Sequence, residues 1–423
     1  MDVGSGFGSE VDRRREAIRL VVDDGVGKVD AGRRVGRSRQ WVNKWLRRYW
    51  EHGDDGLVDR SRVPKTQRTK TPLDVAAKIL EIRESLDDDP VANIGALTIL
   101  AELERARFTP IPSLRTIERI LHTAGVTRKR TKRQRSGNKL PLPVVTTPGI
   151  WQQADWIQDR YLEGGIRFNS LQISDVGSHG VVSGQYLNRT LINAVTLLVE
   201  TAWPTLSIPS AMGIDNAFSS TTHPNNPFTI WVLVCLYFGV EVIISPPGVI
   251  GWTNHIEAVN NQWQRKTIWV EHFDNLNDLR AGSDRAVGWL NTRRAVLDPD
   301  LYATRHPAEY IAANQHLLRW PPTITIRDHL DQRGNLHIPL TAGRVTFLRH
   351  VTEHRTIQIA HVHWPISDSI PIGGLVTATI TTGEHRLEIR HQGQPVKQYD
   401  YPINRPIIDP YYPPSTQSLL HHV

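Results

Sequence analysis

Cysteine is nearly absent from this sequence. A single one, Cys235, in 423 residues excludes a disulfide framework and any cysteine-rich zinc site, and it points to a reducing cytosol. Cys235 lies mid-run in an apolar helix and reads as a core residue. No secretion signal is expected either, since MDVGSGFGSE shows no basic–apolar pattern. Long hydrophobic runs are missing too. The most apolar stretch, FTIWVLVCLYFGVEVII at 228–244, contains Glu241 and falls short of the ~20 residues a membrane span needs, so no membrane partner is expected. No internal repeat is evident. Hydrophobic residues make up 39% of the chain, which suits several small modules better than one large globule. The length agrees, because single cores stop growing near ~250–300 residues. Positive charge is in surplus: the net charge of +7 points to a polyanionic partner.

Residues 12–50 read as three short helices: RRREAIRLVV, KVDAGRRVG and SRQWVNKWLRRYW. Ser38 is a candidate N-cap, and Val35-Gly36-Arg37 supplies the turn before it. In the third helix Val42, Trp45, Leu46 and Tyr49 recur at three- and four-residue spacing and can share a small core. Arg39, Gln40, Asn43, Lys44 and Arg47 are left on the outer face, the residue types that reach phosphates and base edges from a recognition helix. A plain three-helix bundle with a solvated charged face fits the same pattern. After the linker RSRVPK a second helical set follows: TPLDVAAKILEIRESL, IGALTILAELERAR and SLRTIERILHTAGV, with Ser113 as cap and Gly125 as stop. Its last helix exposes Arg115, Glu118 and Arg119. Two such modules in tandem on a basic chain favour DNA binding over either alone.

The run TRKRTKRQRSGNK at 127–139 has no acid and carries Arg128, Lys129, Arg130, Lys132 and Arg133, with Arg135 and Lys139 beyond. Such a run repels itself and stays extended, so it is a linker, and laid along a duplex it can neutralise several phosphates. LPLPVVTTPG closes it with proline punctuation. From 151 onward the pattern becomes three strands, a helix, a strand, a helix, a strand and a helix, which indicates an α/β layer with a mixed sheet. Beyond 280, GWLNTRRAV and HPAEYIAANQHLL look helical. Over 340–400 the runs GRVTFLRHV, RTIQIAHVHW, GLVTATITTG, HRLEIRHQG and QPVKQYDY read as the strands of a small all-β barrel.

Three acids stand at junctions of this pattern: Asp155 in the first core strand, Asp215 at the end of the fourth, and Glu257 early in the last helix. Parallel neighbouring strands can set Asp155 beside Asp215, with the helix laying Glu257 across their edge. Converging carboxylates repel one another unless cations neutralise them, and oxygen-only ligands select Mg²⁺ or Mn²⁺. Two such ions ~3.5–4 Å apart suit an in-line phosphoryl displacement. Asp159 and Asp175 are rival acids. His361 and His363, alternating on one strand, share a face without a third ligand near. Trp151, Trp156, Trp252, Trp263 and Trp269 cluster around the proposed site; most read as packing residues, and Trp252, on the loop before Glu257, can stack on a splayed base.

Asp155-Trp156, the strand-ending Ile214-Asp215-Asn216 with Phe218, and Pro-Pro-Gly followed by His-Ile-Glu-Ala-Val-Asn at 255–260 together resemble the DDE integrase family of retroviral integrases and insertion-sequence transposases. The resemblance runs over roughly residues 10–400. GLVDRSRVPK looks like the end of the family's DNA-binding half, and WLNTRRAV with HPAEY like the segment after its catalytic helix. The resemblance implies a multidomain chain. Helix-turn-helix domains would occupy 10–62 and 66–126, and a basic linker 127–150. A ribonuclease H-like α/β core with a mixed five-stranded sheet would fill 151–290, a helical connector 291–335, and an SH3-like barrel 336–405. It also implies that Asp155, Asp215 and Glu257 ligate two Mg²⁺ (or Mn²⁺) ions per site. Asn216 would shape the turn beside Asp215, and Asn260, Gln264 and Lys266 would face DNA. Departures are a longer Asp215–Glu257 spacing with STTHPNNP as an inserted loop, no glycine before Glu257, no zinc module, and no serine-arginine pair after Asp175.

The implied activity is metal-dependent 3′-end cleavage and strand transfer on double-stranded DNA, element ends and target alike. A homo-oligomer assembled on DNA in the cytoplasm, at the nucleoid, would carry it out. The alternatives are a DNA-binding regulator derived from a transposase without catalysis, and a ribonuclease H acting on RNA–DNA hybrids.

Overall fold

Ser38 opens the helix expected of it: its Oγ accepts the Trp41 N–H at 3.2 Å, as Ser9 Oγ does that of Asp12. In a computed structural model of the chain the described residues are 8–60, 71–127, 143–219, 228–246, 252–298, 303–322, 329–332, 335–416 and 418–420. They fall into two units, divided after Lys70. The first holds α1 (Glu10–Val22), α2 (Lys28–Arg34) and α3 (Arg39–His52). Ile18, Val42, Trp45, Leu46 and Leu57 form its core, with Tyr49 packed at the edge. Gly32 is obligatory there, because a Cβ would lie 2.6 Å from the Arg37 carbonyl in the turn between α2 and α3.

The second unit begins with α4 (Leu73–Asp87), α5 (Ala96–Arg105) and α6 (Leu114–Thr123) around Val75, Ile79, Ile99, Leu103 and Ile117. Ser113 caps α6 through the Thr116 N–H, and Gly125 (φ +72°) stops it in the left-handed region. The core sheet follows. Strands β1 (Trp151–Tyr161), β2 (Arg167–Asp175) and β3 (Val181–Tyr186) form an antiparallel meander. Next come α7 (Leu191–Leu197), a π turn at Leu198–Ala202 and α8 (Trp203–Leu206), which carry the chain to β4 (Ala211–Ile214), parallel to β1. The short α9 (Asn216–Ser219) precedes α10 (Ile230–Tyr237), and β5 (Glu241–Ile244) pairs parallel with β4. These five strands are mixed in direction, as expected, but they are part of a larger sheet. Strands β4 and β5 are buried at every position, as strands covered on both faces must be. Helix α11 (Asn254–Lys266) then packs on β1 and β2, and α12 (Leu276–Thr292) on β3. The border expected at 290 therefore lies inside α12. Strands β6 (Val296–Leu297) and β7 (Thr304–Arg305) form a short hairpin before α13 (Pro307–Ala313).

The C-terminal strands depart from expectation. They are β8 (Leu340–Thr341), β9 (Arg344–His350), β10 (Thr356–Ile359), β11 (Val362–Pro365), β12 (Leu375–Thr381), β13 (Arg386–His391), β14 (Gln394–Asp400) and β15 (Ile407–Ile408). Strand β9 pairs with β12 on one edge and, in parallel, with core strand β5 on the other, Val242 opposite Val345 and Ile244 opposite Phe347. The result is one open nine-stranded sheet, β14-β13-β12-β9-β5-β4-β1-β2-β3. An SH3-like barrel is not seen among the described residues, because closure through β9 would need the edge already bonded to β5. One hydrophobic cluster runs from Leu171 and Trp203 to Ile357, Val376 and Ile389, so core and C-terminal strands share an interior. Glu241, 3% exposed, sits at the join, where its carboxylate accepts hydrogen bonds from Thr346 Oγ1 (2.8 Å) and Ser418 Oγ (2.6 Å).

The run RTIQIAHVHW also resolves differently. It is a hairpin of β10 and β11 whose turn residues, Ala360 and His361, hold φ of 47° and 68°. His361 and His363 therefore do not share a strand face.

Candidate active site

Register fixes the first two acids. Gln153 of β1 lies opposite Gly213 of β4, so two residues further along, Asp155 stands level with Asp215 where β4 ends. Helix α11 is pinned beside them from below. Gln153 Oε1 accepts the Ile256 N–H at 3.1 Å, satisfying one donor of the helix N-terminus, while its Nε2 donates to the Trp252 carbonyl at 3.4 Å. His255 Nε2 meets Ser174 Oγ at 2.9 Å, and because that hydroxyl donates to the Gly180 carbonyl, the imidazole is the donor. Burial, then the neighbouring His179 and Arg294, pushes His255 down to about 3, so it stays neutral. With the helix start held at two points, Glu257 in its first turn is presented at the rim, exposed, accepting from Thr253 Oγ1 at 3.0 Å.

Electrostatics shows how the trio interacts. Burial, followed by the charge of Asp215, raises the Asp155 carboxyl to about 6. The Trp156 N–H and the Asn260 amide oppose the rise, and the charge of Glu257 adds to it. Asp155 Oδ1 accepts the Trp156 N–H at 2.8 Å and Oδ2 accepts Asn260 Nδ2 at 2.7 Å. Asn260, one turn after Glu257, thus orients a carboxylate. Among the described residues no three His, Cys, Asp or Glu side chains stand in an arrangement that could hold a metal ion. The donor chemistry at this rim, three carboxylates and an amide, suits a hard cation.

The rival acids have other work. Asp175 is fully buried, and its carboxylate accepts the Ser178 N–H (2.6 Å), the Ser178 hydroxyl (2.7 Å) and the Gly149 N–H (2.9 Å) to close a turn. Burial raises it to about 6 against those bonds. Asp159 is exposed beside the irregularity in β1 and pairs with Arg167 at 3.4 Å. Trp252, expected to stack on a base, is instead fully buried against Trp151, ring centroids 5.7 Å apart.

The residues expected at DNA divide into three groups. Arg39, Gln40, Lys44 and Arg47 are exposed on α3 and Asn43 is half-buried. On α6, Arg115 is exposed, and Arg119 is exposed with a bond to Thr71 Oγ1. Gln264 is half-buried and accepts both Arg160 Nε and Nη2 at 3.1 Å, so Arg160, which sequence reasoning passed over, shares its surface. Lys266 does not face outward. It is 6% exposed, donates to the Val91 carbonyl in the second helical module, and lies 4.2 Å over the Trp289 ring; burial lowers it to about 8. Arg128, Lys129, Arg130, Lys132 and Arg133 lie outside the described residues.

Comparison with known proteins follows this division. Residues 9–58 and 41–121 each match a homeodomain-like domain model. These helix-turn-helix segments imply DNA binding. Among solved structures the chain is similar to the simian T-cell lymphotropic virus intasome in complex with PP2A regulatory subunit B56 gamma (14% identity, 70% of this chain and 93% of that one, TM-score 0.33). It is also similar to the HTLV-2 integrase catalytic core domain in complex with magnesium (15%, 38% and 96%, TM-score 0.28) and to the BIV integrase catalytic core domain (13%, 40% and 97%, TM-score 0.29). No curated protein matches the chain. The chain resembles the DDE integrase and transposase family. No helix among the described residues is long and apolar enough to cross a membrane.

Proposed function

We propose that this protein is a DNA transposase of insertion-sequence type that cleaves the 3′ ends of its element and joins them to target DNA. The observation that carries the reading is the rim where Asp155, held by Asn260 and Trp156, feels the charges of Asp215 and Glu257. Like charges drawn together where water is partly excluded are costly, and a site that keeps them has a use for a cation. The mixed sheet, with three antiparallel strands and two parallel ones reached through helices, supports a ribonuclease H-like core.

Asp155, Asp215 and Glu257 would hold two Mg²⁺ or Mn²⁺ ions, which when bound supply charge neutralisation and activation of the attacking oxygen. The chain's own part is positional. The Trp156 N–H and the Asn260 amide fix both oxygens of Asp155, and Gln153 and His255 fix the base of α11 and with it Glu257. In hydrolysis a water oxygen bonds to phosphorus and the flanking strand leaves. In joining, the freed 3′-hydroxyl attacks a target phosphodiester and the target's own 3′-oxygen leaves. Exposed cations on α3 and α6 would grip the element ends, and pairing two ends calls for at least two protomers.

The test uses a labelled duplex carrying the inverted repeat that flanks the coding sequence. Asp155→Asn is expected to abolish Mg²⁺-dependent cleavage and joining while end binding persists; joining at the wild-type rate would refute the site. Because Glu257 is exposed and the acids are not gathered around one point, a DNA-binding regulator without catalysis is the competing reading. It predicts that wild type binds the repeat and never cuts it in Mg²⁺ or Mn²⁺.

A further inference from the structure

Arg349 is a buried cation with no carboxylate among its hydrogen-bond acceptors in the described residues. It lies on β9, 8% exposed, with its guanidinium 5.0 Å from the Phe347 ring. Its Nη2 donates to Asn216 Oδ1 at 2.8 Å, Nη1 to the Ser245 carbonyl at 3.2 Å and the Leu348 carbonyl at 2.7 Å, and Nε to the Gln358 carbonyl at 3.0 Å. Burying a guanidinium is costly unless its donors are met, and here neutral oxygens meet them. Two of those oxygens have a shared address. Asn216 directly follows Asp215, and Ser245 directly follows β5, where its N–H donates to the Ile214 carbonyl at 2.9 Å. The planar fork of one arginine therefore spans the ends of the two strands that lead to the rim, and Nε ties the same group to β10. A lysine has a single nitrogen and cannot reach these separate acceptors in fixed directions.

We infer that Arg349 is a positioning residue for Asp215, and that the C-terminal strands are thereby a working part of the catalytic site rather than an appended domain. The inference rests on the reading of Asp215 as a ligand of the catalytic cation. The chain of contacts is Arg349 to Asn216 Oδ1, then one peptide back to Asp215, with Ser245 and Ile214 bracing the turn from the neighbouring strand. Loss of the fork leaves the amide of Asn216 and the turn it begins without that anchor, while β9 remains paired with β5 through its backbone.

The test compares full-length wild type with Arg349→Met, Arg349→Lys and Asn216→Ala by two measurements. In the metal-free protein, amide hydrogen exchange over 214–219 is expected to quicken at least tenfold in Arg349→Met, with the amides of β12 and β13 unchanged. In cleavage of the labelled end duplex, the half-saturating Mn²⁺ concentration is expected to rise at least tenfold, with rate partly restored at excess Mn²⁺. Arg349→Lys should recover only a minor part of either effect. Asn216→Ala removes one acceptor at the strand end and leaves the guanidinium in place, so it tests the contact even if Arg349→Met fails to fold; it should move both readouts three- to tenfold. Unchanged exchange at 214–219 in Asn216→Ala and Arg349→Lys, or an unchanged Mn²⁺ requirement, would overturn the inference. A wild type that never cleaves the duplex would overturn the transposase reading instead, and the exchange measurement would still decide whether Arg349 holds the turn.

Discussion

Asp155 carries opposite consequences for folding and for chemistry. Its carboxyl is raised in the folded protein from 3.8 to about 6, so between those values the folded chain keeps a proton that the unfolded chain has released. The stabilisation from that retained proton is full below about pH 4 and is lost as pH rises through 6. At pH 7 the ionised, crowded carboxylate then costs roughly 1–3 kcal/mol. Asp155→Asn should therefore raise the thermal midpoint of the metal-free protein by a few degrees at pH 7 and by much less at pH 4.5, as differential scanning fluorimetry at the two pH values would show. Because proton and cation compete for the same carboxylate, the Mg²⁺ concentration that half-saturates wild-type cleavage should rise as pH falls below about 6. A midpoint that drops at pH 7 would mean that Asp155 is stabilised by contacts the carboxamide cannot replace. At this scale the sequence was partly legible. The expected positions of Asp155 in a strand, Asp215 at a strand end and Glu257 in a first helical turn are the ones seen, because such junctions leave a trace in local pattern. Burial did not. Trp252 and Lys266 look exposed on a helix or loop reading, and it takes contacts with residues far away in the chain, Trp151 and Val91 among them, to bury them.

Helices were more legible than strands, for reasons visible in the caps and turns. Ser38, Ser113 and Gly125 mark ends that the structure reproduces, since each satisfies or terminates its helix locally. The β10–β11 hairpin was read as one strand because its turn is Ala360-His361 in place of the Asn-Gly or Asp-Gly that left-handed φ values usually attract. Docking between elements leaves no local signal at all. The second helical module meets the core through Glu102, which accepts Arg293 Nη2 at 2.8 Å, through Glu104 with Thr304, and through Val91 with Lys266. The Glu102–Arg293 pair is partly exposed, so its coupling should be modest. A double-mutant cycle with Glu102→Gln and Arg293→Met, read by thermal unfolding, is expected to give about 0.5–1 kcal/mol. A coupling of zero would assign the docking to Lys266 and the apolar contacts instead.

For the molecule as a whole, the shared sheet has a direct consequence for truncation. A chain ending at residue 335 would strip β9 from β5 and open the interior formed by Val242, Ile244, Val345 and Phe347. Such a fragment should aggregate or lose its near-ultraviolet circular dichroism and bind a hydrophobic dye, whereas an appended barrel could be removed with the core intact. A soluble fragment with native near-ultraviolet signal would show that the β5–β9 pairing is dispensable. Glu241 adds a further property to this seam. Its carboxylate is placed to meet hydroxyls contributed by β9 and by the chain near its C-terminal end. Sliding β9 by one residue would turn Thr346 and Arg344 to the opposite face and leave the buried Glu241 carboxylate with only Ser418 Oγ of these three partners. The acid thus works as a key cut for one lock, favouring the alignment that also brings Arg349 to Asn216.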